Sequence, residues 1–296
     1  MIEFVCNICG VKNALPMEAF DRETGLCASC GSTVRQRSVI YLLTKYLVGS
    51  PQVLPLMPTM GFRGIGLSCA SSYAPYLAQK FDYTNTFFDG EPFLDINNPA
   101  DSDPAESVST SAVEPAEKGG ATRPADGGAR RKAYENLDFV ISSDVFEHTM
   151  PPAIAAFEGT RRILKTGGLL FLTVPYSLNE ETVEHYPECT EYEEVDLDDG
   201  RRGVRLTLRD GSTVLDENPT WHGGAGNTLE MRVLCQRDLW KLLEDASFEV
   251  AEVFRYGVPE FGLLTTLGET WSLPIVARKR RRSLRHWLRQ ALVNGR

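Results

Sequence analysis

The chain has 296 residues, 42% of them apolar and 24% charged, the make-up of a globular protein with one or two domains. No apolar run approaches the roughly 18 to 20 residues that a membrane span needs. The net charge of −9 argues against a protein devoted to nucleic acid, although 8 of the 31 basic side chains fall within 278–296, where there is no acidic one.

The opening MIEFVCNICG has no basic stretch ahead of a long apolar one, so no signal peptide is expected and a cytoplasmic, reducing setting is implied. Residues 1–34 hold two pairs, Cys6-x-x-Cys9 and Cys27-x-x-Cys30, separated by 17 residues. That spacing predicts a zinc-ribbon-like module in which four thiolates close a tetrahedral shell, so that the zinc is structural. A redox dithiol is the alternative. Gly10 and Gly31 follow the pairs where tight knuckle turns are needed, and the module is expected to form a rigid cap on the main domain. Arg35 and Arg37, just beyond it, read as a solvated helix start.

A helix is expected around Val39–Leu43. Residues 101–135 lack Leu, Ile, Met, Phe and Trp and read as a disordered insertion. Beyond it, 137–142 is a buried-strand pattern, Pro151 and Pro152 can open a helix, and Thr166-Gly167-Gly168 is placed to end it. A second buried strand is expected over 169–174. Strand, helix, strand of this size predicts a parallel crossover in an α/β sheet. Segments 191–197, 204–209 and 212–216, with turns at Asp199-Gly200 and Asp210-Gly211, predict a small antiparallel β appendage spanning about 186–232. A helix over 236–246 and closing strands over 248–254 and 272–277 complete the domain at 35–277. In the tail, 278–296, Leu284, Trp287, Leu288, Ala291 and Leu292 form one apolar face behind a basic run, a pattern suited to an anionic membrane surface.

The run Asp138–His148, then Arg162-Ile-Leu-Lys165-Thr-Gly167-Gly168 and Phe171-Leu-Thr-Val-Pro175, resembles the class I S-adenosylmethionine-dependent methyltransferases: their fourth strand, the acidic-His loop after it, and the turn into the fifth strand. The resemblance covers roughly 60–277 and implies a Rossmann-like sheet with S-adenosylmethionine as cofactor. It sets 63–73 on the family's glycine loop, with Gly64, Gly66 and Ser68 at the cofactor. Gly66 stands where an acidic residue is usual, and Ser68, Ala70 and Ser72 where glycines are usual. Asp89 then corresponds to the acid that accepts from the ribose, Asp95 to the acid at the adenine, and Asp144 to the loop at the end of the fourth strand. Thr84-Asn-Thr-Phe, Glu184-His185-Tyr186-Pro187 and the stretch 221–232 are similar to a bacterial subgroup that carries an amino-terminal cysteine module and is often linked to surface-glycan or small-molecule modification.

If the acceptor is a hydroxyl or amine, a general base helps, and histidine is the usual choice near neutral pH. His148 lies just past a strand end, on the edge where open α/β sheets bind ligands, and His222 sits beside a glycine-rich run; these two are the catalytic candidates. His185 lies in the appendage and His286 in the tail. The expectation is a methyltransferase for a small-molecule or glycan-type acceptor. An RNA methyltransferase and a scaffold that kept the fold without the reaction are the alternatives.

Overall fold

The computed structural model describes residues 1–101, 134–222, 228–264 and 272–281. β1 (Ile2–Val5) and β2 (Lys12–Leu15) form a hairpin around the first cysteine knuckle. The second knuckle runs directly into α1 (Val34–Val48). Thr33 starts that helix with a capping box: its hydroxyl accepts from the Gln36 amide, and the Gln36 side chain accepts from the Thr33 amide. Gly49, at φ 91°, ends it in the left-handed conformation that glycine adopts freely.

β3 (Arg63–Leu67), α2 (Ala74–Ala78), β4 (Asp82–Thr86), β5 (Leu137–Ser143), α3 (Ile154–Ile163) and β6 (Leu164–Thr173) succeed it along the chain. Three strands come next, β7 (Tyr176–Ser177), β8 (Val183–Glu184) and β9 (Cys189–Asp196). β10 (Arg202–Leu208), β11 (Thr213–Asp216), β12 (Trp221–His222), β13 (Thr228–Leu229) and β14 (Arg232–Cys235) complete the appendage region, and α4 (Gln236–Asp245), β15 (Phe248–Val253) and β16 (Ile275–Lys279) close the chain's described part. The main sheet has six strands in the order β15-β16-β6-β5-β3-β4. Strands β6, β5, β3 and β4 are parallel, and β16 is antiparallel to both its neighbours.

This is the α/β architecture with a parallel sheet and a small antiparallel insertion that the residue pattern predicts. Alternation along β5 sends Phe139 and Ile141 to the face covered by α1 and Val140 to the face covered by α3 and α4. Cys6, Ile8 and Cys27 of the cysteine module belong to the α1-side core. β9, β10 and β11 form an antiparallel meander over a core of its own, made by Cys189, Val204, Leu206, Leu229 and Met231.

Several expectations need correction. α3 begins at Ile154, so Pro151 and Pro152 precede the helix and do not open it. Gly167 and Gly168 do not stop the helix, which ends at Ile163; they bow out of β6 where its pairing with β5 jumps from Leu137–Leu164 to Phe139–Leu169. Beyond β4 the chain makes a parallel bridge, Phe87–Phe93. Of the insertion expected over 101–135, residues 102–133 lie outside the described residues. Tyr134 is buried in the α3-side core, so the fold resumes before the expected boundary. β16 extends to Lys279, past the expected domain end at 277. The amphipathic face at 284–292 lies outside the described residues, as do His286 and the membrane contact that the tail implies. No described helix is long and apolar enough to cross a membrane.

Candidate functional site

The order of the parallel strands reverses beside β3, with β4 on one side and β5 on the other. That is where open α/β sheets bind ligands, beyond the carboxyl ends of the strands. A cleft of about 220 Å³ lies there, lined by Arg35 and Gln36 from α1, Ser68, Ala70 and Tyr73 after β3, Ser143 and Asp144 at the end of β5, and His222.

Gly64 and Gly66 lie inside β3 and face the core. A Cβ at Gly64 would overlap the Phe139 ring, and one at Gly66 would overlap the Tyr83 hydroxyl and the Cys69 sulfur. The space that a larger side chain at 66 would need is thus filled by Tyr83 and Cys69. The loop proper starts at Ser68, which takes φ 48°, the region where glycine is usual. It is pinned by three hydrogen bonds. The Ser68 amide donates to the Thr86 carbonyl at 2.7 Å, the Cys69 amide to Asn85 Oδ1 at 2.8 Å, and Asn85 Nδ2 to the Cys69 carbonyl at 2.9 Å. Cys69 is buried, which pushes its thiol up. Asp89 is exposed on the turn beyond β4. Asp95 is half-buried, and its Oδ1 accepts from the Asn97 amide at 2.9 Å, closing a turn.

Asp144 also has positive φ, at 54°. Its carboxylate accepts from Arg22 at 2.7 and 2.9 Å and from the Thr173 hydroxyl at 2.9 Å, and lies 3.4 Å from Arg35. Burial alone would raise this carboxyl; Arg35 and Arg22 outweigh it and hold it below the usual range. Arg35 further binds Glu23 and Ser143. The solvated helix start expected at Arg35 and Arg37 is not found. Arg37 is wholly buried, donating to the carbonyls of Ser32, Phe261 and Gly262, and it locks the cysteine module onto the short turn at Pro259–Phe261.

The structure brings His148 and His222 together, with ring centroids 5.1 Å apart. Between them is Glu147, fully buried, with neither carboxylate oxygen hydrogen-bonded. Burial, then the charge of Asp144, push its carboxyl well above the usual range. Burial pulls the His148 imidazole down, against the pull of the Leu229 carbonyl to which its Nδ1 donates at 2.8 Å. Arg232 is fully buried. It pairs with Glu184 at 2.9 Å and donates to the carbonyls of Phe146 and Thr149, which fixes the loop carrying Glu147 and His148. Glu147 and Arg22 are the site residues that sequence reasoning misses; a carboxylate followed by histidine on a strand-end loop is the available signal for the first.

The four cysteines converge. Cys6 and Cys30 sulfurs are 3.7 Å apart, Cys9 and Cys27 3.5 Å, and all four lie within 4.8 Å of one another. Four thiolates at about 2.3 Å from one zinc ion would be roughly 3.8 Å apart, so the set fits that ion. The two knuckles repeat each other: Gly10 donates to the Cys6 carbonyl at 2.8 Å and Gly31 to that of Cys27 at 2.9 Å, both with positive φ. Its hydrogen bond with Cys30 and burial push the Cys6 thiol up, while the same hydrogen bond pulls Cys30 down to about 4.

No protein-family model and no curated protein sequence matches the chain. It is similar in structure to a 1,6-didemethyltoxoflavin-N1-methyltransferase of Burkholderia thailandensis with bound 1,6-didemethyltoxoflavin and S-adenosylhomocysteine. Identity there is 13%, covering 83% of this chain and 78% of that one, with a TM-score of 0.39. An S-adenosylmethionine-dependent methyltransferase of Clostridium acetobutylicum is 12% identical, covering 75% of this chain and 86% of that one, with a TM-score of 0.40. An amino pentose methyltransferase of Micromonospora echinaspora with bound S-adenosylmethionine is 12% identical, covering 74% and 84%, with a TM-score of 0.35. Likeness at that level transfers no residue role to this chain.

Proposed function

We propose that this chain is an S-adenosylmethionine-dependent methyltransferase acting on a small-molecule or glycan-type acceptor in a reducing, cytoplasmic setting, with structural zinc at Cys6, Cys9, Cys27 and Cys30. One observation carries the reading. The cleft lies beyond the carboxyl ends of β3 and β5, at the reversal of a sheet whose antiparallel β16 is inserted between β6 and β15. Its lining suits the cofactor: small residues at Ser68 and Ala70 permit close backbone approach, and Arg35, bonded to Glu23 and Ser143, gives the wall a fixed edge. Asp95 and Asp89 are the acids assigned to the adenine and ribose. When bound, the cofactor supplies an activated methyl group on a sulfonium.

The chain's own work is then positioning, which supplies most of the acceleration in such a transfer. Asp144 holds Arg22 and Arg35 in register with the cleft wall. His222 reaches the same wall, so its imidazole meets the acceptor's polar group, with His148 and the buried Glu147 packed behind it. The acidic body favours a compact polar acceptor over nucleic acid.

Calorimetric titration with S-adenosylhomocysteine tests the reading on wild type, Asp95→Ala and Arg35→Met. Saturable binding that weakens in both variants is expected. No binding to folded wild type would overturn it in favour of a scaffold that has lost the reaction, and salt-sensitive retention on RNA would move the acceptor to nucleic acid.

A further inference from the structure

Glu147 is the anomaly of the site. Its side chain is fully buried and both oxygens lack a hydrogen-bond partner, an arrangement that costs free energy unless something else pairs with the carboxylate. What surrounds it is donors with lone pairs. Glu147 Oε1 is 3.7 Å from His148 Nε2 and 3.7 Å from His222 Nδ1. His222 Nδ1 is also 3.5 Å from Glu230 Oε2. The ligand-capable atoms of Glu147, His148 and His222 all fall within 4.8 Å of one another.

Distances of 3.7 Å are too long for hydrogen bonds. They suit atoms facing a common centre: donors about 2.1 Å from one ion are separated by roughly 3.0 to 3.4 Å, a small contraction from the two Glu147 distances. The supporting contacts match that role. His148 donates Nδ1–H to the Leu229 carbonyl, which leaves the Nε2 lone pair directed at Glu147. Such an outward hydrogen bond is the usual companion of a metal-ligating imidazole. Glu230 is steadied by His185 Nε2, 3.1 Å from its other oxygen. The Met231 amide donates to the Glu147 carbonyl at 2.9 Å, and Arg232 holds the carbonyls on either side, so the loop is set without using the carboxylate itself.

We propose that Glu147, His148 and His222 form a second metal site, which takes a divalent transition-metal ion of the manganese, cobalt or zinc class, with Glu230 beside His222. Two imidazoles and a carboxylate favour such ions over magnesium, which prefers oxygen alone. The site differs in kind from the cysteine cluster. Four thiolates close the coordination shell, whereas three nitrogen and oxygen donors leave room for a ligand. His222 lines the cleft, so an ion here could take an acceptor oxygen and ease its deprotonation, a consequence that rests on the methyl-transfer reading. Ion binding itself does not rest on it.

The test uses full-length protein whose cysteine cluster has first been loaded with zinc. Cobalt(II) is added, excess ion is removed, and metals are counted while the visible spectrum is recorded. One cobalt per chain beyond the zinc is expected, without the charge-transfer absorption of a cobalt–thiolate bond. Glu147→Gln and His222→Ala should each weaken cobalt binding about 100-fold or more and leave the zinc in place. His222 is partly exposed at the end of a short strand, so its replacement spares the core. No cobalt beyond the zinc, or undiminished cobalt in both variants, overturns the site. The readout is metal alone, so a failure to bind S-adenosylhomocysteine would leave it intact.

Discussion

Arg22 Nη2 donates to both carboxylate oxygens of Asp144, at 2.7 and 2.9 Å, across 122 positions of sequence. Arg35 stands 3.4 Å from the same carboxylate. One acid at the end of β5 thereby fastens the cysteine module and the start of α1 to the edge of the sheet where the cleft lies.

Replacing Asp144 by Asn leaves two largely buried guanidinium groups short of an anion and should cost about 2 to 4 kcal/mol. The pH dependence has a definite sign. The folded carboxyl sits below its unfolded value, so its contribution is complete above about pH 4 and is lost as the pH falls through the folded value. Urea unfolding over that acid range should show a steep decline for wild type and a flatter one for the variant; parallel curves would refute the assignment.

Gly66 and Tyr83 are predicted to be coupled. The Tyr83 hydroxyl occupies the space where a Cβ at residue 66 would go. Gly66→Ala should cost about 1 to 3 kcal/mol by overpacking. In a Tyr83→Phe background the cost should fall, because the overlapping oxygen is gone, leaving the Cys69 sulfur as the remaining obstacle. A double-mutant cycle in denaturant measures the difference, and strict additivity would count against it.

Ser68 is held at φ 48°, and a side chain there carries a penalty of about 1 kcal/mol. Ser68→Gly removes that penalty at some cost in unfolded-chain entropy and should be neutral to mildly stabilising. Ser68→Val should be clearly destabilising, since a β-branched residue fits that region worst. Thermal midpoints of the three proteins give the order.

Metal removal should reach beyond the module. Cys6, Ile8 and Cys27 pack in one core with Val39, Phe139 and Phe171 of the helix and sheet. A strong chelator should lower the midpoint of the whole described fold in a single transition, and re-addition of zinc should restore it. An early, separate transition with the main one unmoved would mean that the module unfolds on its own.

Local chemistry explains which features are legible in the sequence. The strands at β5 and β6 announce themselves by continuous apolar runs, the knuckles by cysteine spacing, and α4 by leucines three and four residues apart. His148 and His222 both stand out by their neighbours in sequence, though only the structure places their rings together. Features that depend on distant partners are not legible. Arg22, Arg35 and Arg37 carry no spacing signal, because their acceptors lie far along the chain, and a basic helix start reads as solvated. Arg232 carries none either, since its partners Glu184, Phe146 and Thr149 come from two other segments. Gly167-Gly168 looks like a helix stop because a β-strand bulge uses the same residue.

The capture of Arg37 by carbonyls at 261 and 262 also bears on how such a chain can change over time. A ribbon held by a tether alone can be gained, lost or exchanged as a cassette. This one is grouted into its host: deleting the first thirty residues would remove Arg22 from the cleft-side acid, bare the α1 side of the core, and take the cysteines from it. Grafting a foreign ribbon in its place would have to restore the Arg22 partner of Asp144 and the Phe4 ring against Gly262 at once, so the two parts are bound to vary together.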